Sequence, residues 1–226
     1  MSAPAVDAVA FDVNETLFSL ARLRPAFDAV GLDPDLVPLW FARLLRDGFA
    51  LTALGGYRPF ADLAGDALRG LAPDRVGEGE VAAVLGAFRE LDPHPDVEPA
   101  LRLLRDAGIP AVTLTNGSAD LVAGLLRRAG LDGYLRANLS VDTVRRWKPA
   151  PEPYRYAADQ LGIDPSRLAL VAAHAWDCAG AGRAGLRTGW LPRTEPRWPD
   201  AFPPPDVTAD DLPSVIAALL DQPGTG

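Results

Sequence analysis

Four apolar runs, each closed by turn residues and followed by a helical pattern, restrict this chain more than any other feature. Val9-Ala10-Phe11 ends at Asp12, and residues 109–114 end at Thr115-Asn116-Gly117. A weaker run lies around 139–141, and residues 168–172 precede His174-Ala175-Trp176-Asp177. Continuous apolar runs of this kind read as strands buried on both faces. A fifth short run, 188–191, closes the series. Helical patterns occupy 97–107, 119–129, 151–161 and 178–184. They end at Gly108, Gly130, Gly162 and Gly185, where a glycine serves the left-handed turn that closes many helices. Strand–helix alternation specifies an α/β fold built on a doubly wound parallel sheet. In such sheets ligands sit beyond the carboxyl ends of the strands, so Asp12, Thr115 and Asp177 are expected to meet there.

Residues 18–92 break this rhythm. They read as four helices, 20–30, 38–54, 59–71 and 80–91, with no convincing strand. An insert of that kind after the first strand would form a lid over the strand ends and exclude water from a pocket beneath it. After a Pro- and Trp-rich stretch at 193–205, a last helix is expected at 210–220.

Composition narrows the function classes. A net charge of −8 argues against nucleic-acid binding, which needs clustered Arg and Lys. The single cysteine, Cys178, forms no intramolecular disulfide and no Cys-rich metal site, and reads as a small buried hydrophobe. The N-terminus lacks a basic start and carries Asp7 inside its apolar stretch, unlike a signal peptide. No apolar run approaches the ~20 residues of a membrane helix. A soluble, cytoplasmic protein is the expectation. Of 22 basic residues, 21 are Arg and only Lys148 is Lys. A lysine surviving such a skew suits a task that needs a compact ammonium on a flexible stem.

The chemistry-bearing segments fall at the strand ends. Asp12, in Phe11-Asp12-Val13-Asn14-Glu15-Thr16, can present its carboxylate beside backbone N–H groups of the turn. Alone the pattern is weak, since Asp commonly ends strands to start turns. It is followed in order by Thr113-Leu114-Thr115-Asn116-Gly117, Trp147-Lys148-Pro149 with Tyr154, and Val171 to Asp177. Together these four elements resemble the haloacid dehalogenase superfamily over almost the whole chain. Lys148-Pro149 with Tyr154, and Ala175-Trp176-Asp177, are most similar to the type II (L-2-)haloacid dehalogenases.

The resemblance implies a Rossmann-like core from residues 1–17 and 93–226, a helical cap at 18–92, and a possible homodimer. It implies a small-molecule carboxylate substrate and no cofactor. Asp12 would attack the halogen-bearing carbon of a 2-halo acid and displace halide, and the ester would then be hydrolysed at the Asp12 carboxyl carbon. Lys148 would keep Asp12 ionised. Asp177, helped by Lys148, would position or deprotonate the hydrolytic water. Thr16, Thr115 and Asn116 are suited to hydrogen-bond the nucleophile or the substrate carboxylate. Trp176 and Tyr154 would line the pocket or hold Lys148, with ordinary core packing as the alternative.

Departures from the family pattern are equally informative. Two residues after the nucleophile, phosphatases of the superfamily carry a second carboxylate and dehalogenases an aromatic residue; here Asn14 stands there, and Glu15 follows where a Gly is usual. Ala173 replaces the first carboxylate of a Mg²⁺ site, which needs a full oxygen set. Phe41 stands where a cap arginine cradles the halide, with Arg43 and Arg46 as possible substitutes, and Asn14, Phe41 and Phe60 are expected among the substrate-binding residues. His174 replaces an Asn and is either a halide-side donor or a structural imidazole. His94, where the cap rejoins the core, reads as structural. A Mg²⁺-dependent phosphatase on a small metabolite, or a catalytically weak binding homologue, are the alternative readings.

Overall fold

The computed structural model describes residues 6–221. Among them a single parallel sheet runs in the order β3-β2-β1-β4-β5-β6. Its strands are β1 (Ala8–Phe11), β2 (Ala111–Thr115), β3 (Leu135–Ser140), β4 (Leu168–Ala172), β5 (Arg187–Trp190) and β6 (Val207–Thr208). The α/β fold read from the sequence is therefore present. The three central strands are buried at every residue, because helices cover both faces.

Alternation along β1 sorts its side chains by size. Val9 and Phe11 join the core with helices α5 (Val97–Asp106) and α9 (Leu212–Asp221), whereas Ala8 and Ala10 face α7 (Pro151–Leu161) and α8 (Ala175–Arg183). Small side chains on that second face let the α7–α8 layer come close. The remaining core helix, α6 (Ala119–Ala129), starts on a Ser118 cap that accepts from the Leu121 N–H, and ends at Gly130 with φ 69°. Gly162 closes α7 in the same left-handed conformation, which costs an L side chain about 1–2 kcal/mol.

Three details differ from the sequence reading. Strand β3 starts at Leu135, because it is an edge strand whose half-exposed, partly polar residues carry little apolar signal. Helix α8 begins at Ala175, so Asp177 lies in its first turn, where the helix dipole favours a carboxylate. The two-residue β6, after the proline run, gave no periodicity to read.

Between β1 and α5 the chain forms α1 (Leu23–Ala29), α2 (Val37–Ala53), α3 (Phe60–Arg69) and α4 (Glu78–Ala87). Departure and return run side by side: the Ser19 N–H donates to Asp92 O, and the His94 N–H to Leu17 O. Trp40 on α2 anchors the insert, with ring centroids 5.6 Å from Phe27 and 5.9 Å from Phe88, and its indole N–H donates to Ala64 O. The insert is also clasped to the loop after β3. Trp147 donates through its backbone to Thr52 Oγ1 and through its indole to Arg58 O, and its ring lies on the Cβ-less face of Gly48. No helix among the described residues is long and apolar enough to cross a membrane.

Candidate active site

Parallel order places the carboxyl ends of β2, β1 and β4 next to one another, and the loops beyond them converge. Asp12 extends β1, its N–H still donating to Val171 O, so its side chain leaves the sheet at a fixed point. Three groups determine the state of its carboxylate. Thr16 Oγ1 donates to Oδ2 at 2.7 Å and accepts from the Ala173 N–H at 2.9 Å. The Lys148 ammonium donates to Oδ1 at 2.9 Å, and His174 Nδ1 lies 3.2 Å from Oδ2.

Lys148 is fully buried, and its ammonium uses all three donors: Asp12 Oδ1, Leu114 O at 2.9 Å and Asp177 Oδ2 at 2.5 Å. Asn116 fixes the lysine's backbone by accepting its N–H at 2.9 Å. Tyr154 donates to the other oxygen of Asp177 at 2.6 Å. Both Asp177 oxygens are thus engaged in a place closed to solvent. Lys148 and Tyr154 thereby orient Asp177, and each of its oxygens keeps a further acceptor site.

The charges reinforce one another. Burial works to raise the Asp12 carboxyl, but the Lys148 charge and the His174 hydrogen bond outweigh it and hold Asp12 well below the usual carboxylate range. Burial opposes the Lys148 charge, yet Asp12 and Asp177 together push its pKa up. For Asp177 burial prevails and its pKa is raised, Lys148 pulling the other way. Burial, and then the charge of Asp177, push the Tyr154 hydroxyl well up, so it stays a donor.

On the opposite side of Asp12, His174 Nε2 lies 2.9 Å from Glu15 Oε2. Both ring nitrogens therefore face carboxylates, an arrangement that only the doubly protonated imidazolium satisfies. Burial lowers the pKa of His174, but the hydrogen bonds to Asp12 and Glu15 push it up to about 10. Glu15 adopts φ 63°, a left-handed conformation that costs an L residue about 1–2 kcal/mol. His174 lies between aromatic rings, 5.3 Å from Trp176 and 6.2 Å from Phe41. An opening of about 730 Å³ reaches Glu15, Phe41, Phe49, His174, Trp176 and Glu195. Asp12 itself is 5% exposed and lies behind His174.

Most of the expected residues converge here, but not all. Asp12, Thr16, Lys148, Tyr154, Asp177, His174 and Trp176 form one connected cluster. Thr115 and Asn116 build the adjoining loop, Thr115 Oγ1 accepting the Gly117 N–H at 2.9 Å. Asn14 is half-buried and pairs through its backbone with Phe18. Arg43 does not enter the pocket: it reaches Gly70 O at 3.4 Å, because its position on α2 points it at the next helix of the insert. Phe60 likewise packs inward, stacked on Trp147 and edge-on to Phe88. Arg46 lines the opening and pairs with Asp47. Glu15 was marked in the sequence only as a departure. The signal that it matters was a second departure, His174, in a distant motif.

Among the described residues no group of three or more His, Cys, Asp or Glu is placed to hold a metal ion. Asp12 and Asp177, the two carboxylates nearest such a role, are bridged by the Lys148 ammonium.

Known proteins share the sequence and the fold of this chain. (S)-2-haloacid dehalogenase 1 of Pseudomonas sp. (strain CBS-3) is 32% identical over 221 residues, covering 95% of this chain and 97% of that protein. (S)-2-haloacid dehalogenase 4A of Burkholderia cepacia is 33% identical over 189 residues, 80% of each chain. A solved L-2-haloacid dehalogenase, 28% identical, superposes with a TM-score of 0.87 over 95% of this chain and 99% of its own. The haloacid dehalogenase-like hydrolase family model matches residues 6–185, and the chain belongs to that family.

Proposed function

We propose that this protein hydrolyses the carbon–halogen bond of small 2-haloalkanoic acids, with Asp12 as nucleophile and without a metal ion. The observation that carries this reading is the Asp12 carboxylate, paired at 2.9 Å with the buried Lys148 ammonium. Its ionised oxygen attacks the carbon bearing the halogen; that bond breaks, halide leaves, and an alkyl ester of Asp12 remains. Water then attacks the Asp12 carboxyl carbon, releasing a 2-hydroxy acid and restoring the carboxylate. The relatives named as haloacid dehalogenases support the substrate class.

The donor set does not suit a phosphatase. Asn14 transfers no proton to a leaving alcohol, Ala173 offers no oxygen, and the Lys148 ammonium lies between the two carboxylates that Mg²⁺ would need.

The helical insert acts as a cap whose Phe41 and Phe49 close the pocket over His174 and Trp176. Thr115 and Asn116 end β2, Asn116 accepting the Lys148 N–H and Thr115 the Gly117 N–H, and this loop is assigned to the substrate carboxylate. Arg46 and Arg193 line the opening together with His174, and His174, the one of the three in contact with Asp12, is the donor assigned to the departing halide. The homodimer implied by the family belongs to the same proposal and is measured by sedimentation.

Halide release from 2-chloro, 2-bromo and fluoro acids in the presence of EDTA tests this. Release by the wild type, and none by Asp12→Ala, is the expected result. No release from any member of the panel overturns it.

A further inference from the structure

We propose that the substrates carry a long, unbranched apolar chain on C2, and that its distal part lies in an aromatic groove between α8 and residues 198–206. This rests on the reading of Asp12 as the nucleophile of a haloacid hydrolase, and extends its substrates beyond the short acids. The opening beside His174 and a second cavity, of about 950 Å³, share two walls, Phe49 and Trp176, whose ring centroids are 4.8 Å apart. From Asp12 the way to those rings is short. The Lys148 ammonium, 2.9 Å from Asp12 Oδ1, lies 5.9 Å from the centre of the Trp176 ring. The His174 ring, whose Nδ1 is 3.2 Å from Asp12 Oδ2, stacks on the same indole at 5.3 Å. A chain that leaves C2 of a substrate held at Asp12 and turns away from the charged side chains meets Trp176.

Local sequence explains why the groove is there. Helix α8 contributes Ala179 and Gly182, which raise nothing beyond a Cβ into it. The facing wall is Trp198, Phe202 and the prolines at 203–205, whose rings fix the backbone and add apolar surface. Both ends of that wall are pinned. Trp198 packs edge-on against Trp190 at 5.3 Å and donates its indole N–H to Phe202 O at 3.2 Å. Asp206 accepts from the Thr188 N–H at 2.8 Å and from its hydroxyl at 2.9 Å. The groove is thus formed before anything enters it, which lowers the cost of binding.

Phe49, Trp176, Trp198 and Phe202 each stay partly exposed along this path, a row of aromatic surface of the kind that marks a binding site. Continuity decides the occupant. The groove meets the opening at Phe49 and Trp176, so a group that reaches it from the pocket is attached to the molecule held at Asp12. Each methylene taken out of water strengthens binding about 4-fold when fully covered, and about 2-fold when half covered as in an open groove. The chain is covered equally before and during reaction, so the gain falls in KM and leaves kcat unchanged.

Halide release from 2-bromopropionate, 2-bromobutanoate, 2-bromohexanoate, 2-bromooctanoate and 2-bromodecanoate, each below its micelle concentration, tests this. The expected result is a rise in kcat/KM of about 2-fold per methylene along the whole series, with KM falling and kcat level. A series that is flat or falls beyond 2-bromohexanoate overturns the proposal. Phe202→Ala tests the placement: it is expected to lower the decanoate-to-hexanoate ratio of kcat/KM by about 3-fold or more. A merely structural Phe202 would lower both rates alike, and a wild-type ratio in that variant removes the groove from the substrate site. Wild type that releases halide from no acid in the series defeats the dehalogenase reading, and binding then decides the groove. Unhalogenated decanoate should saturate a change in tryptophan fluorescence, through Trp176 and Trp198, at concentrations about 10-fold below those needed for hexanoate. Equal concentrations overturn the groove independently of turnover.

Discussion

The two sides of Asp12 carry the same kind of charge in opposite settings. On the Lys148 side, ammonium, Asp177 and Tyr154 lie fully out of solvent, and every donor among their side chains is engaged. On the His174 side, the imidazolium pairs with Asp12 and with the partly exposed Glu15, and borders an aromatic opening. The difference teaches how a buried carboxylate is kept both ionised and reachable. A fixed cation sets the charge of Asp12 at all working pH values. A second cation, placed toward solvent, ties Asp12 to Glu15 at the mouth of the pocket.

Removing the fixed cation should do the greatest damage. Lys148→Met leaves Asp12 and Asp177 as two buried carboxylates with no shared ammonium, and breaking a buried pair in this way costs about 3–5 kcal/mol. A drop of that size in denaturant-derived stability is expected, with loss of about 10³-fold or more in turnover as Asp12 protonates. Recovery of activity in Lys148→Arg would contradict the geometry, because a planar guanidinium cannot place three donors where one nitrogen now does.

The mobile side should show itself through pH. The folded-state pKa of His174, about 10, stands above its ordinary value of 6.5. Its contribution to stability is therefore complete below about pH 6.5 and is lost as pH rises through about 10. Burial pushes the Cys178 thiol up from its ordinary 9.0, so it adds a further loss above about pH 9, whereas Tyr154 and Lys148 contribute only from about pH 10 upward. The wild-type melting temperature is expected to fall by roughly 5–10 °C across the His174 window, since 1 kcal/mol moves the midpoint about 2–4 °C in a chain of this size. His174→Gln should flatten that limb. An identical alkaline slope in the two proteins would show that the imidazolium contributes nothing to the fold.

A smaller perturbation reaches the fixed side from behind. A Cβ at Gly180 on α8 would come within 2.6 Å of Pro149 Cβ, 2.7 Å of the Tyr154 hydroxyl and 2.8 Å of Pro149 O. Backbone on one side and a buried hydroxyl on the other leave no cheap escape. Gly180→Ala is expected to cost about 1–3 kcal/mol and to lower turnover by displacing Tyr154 from Asp177. Halide inhibition should stay unchanged, since the His174 side is untouched.

The fixed side was legible in the sequence and the mobile side was only half so. Asp12 closes an apolar strand, and Lys148 is a lone lysine among arginines, so both were marked by contrast with their surroundings. Asp177 was placed correctly near them but one element off, because the helical period of α8 is masked by its run of Ala and Gly. Its bonds to Lys148 and Tyr154 depend on tertiary placement, which no local pattern encodes. His174 and Glu15 were visible separately, as departures in motifs 159 residues apart. That they pair follows only from the adjacency of β1 and β4 in the sheet. Arg43 and Phe60 show the opposite failure. Helical spacing establishes that both belong to the insert but not which neighbour each faces, and both turned out to serve the insert's own packing.

Arg43 supplies the smallest expected effect and the sharpest check on which side of the pocket carries charge. Its guanidinium makes one long hydrogen bond, 3.4 Å to Gly70 O, and lies apart from His174, Glu15 and Trp176. A partly exposed side chain with so weak a contact contributes within about 0.5 kcal/mol of nothing. Arg43→Ala is therefore expected to leave melting temperature, halide release and the affinity for halide product near wild type. His174→Gln, measured in parallel, should weaken halide inhibition, because the imidazolium is the cation that borders the pocket next to Asp12. If Arg43→Ala instead weakened halide binding and His174→Gln did not, the cap would swing Arg43 inward during turnover. The charge division drawn here would then describe the resting enzyme alone.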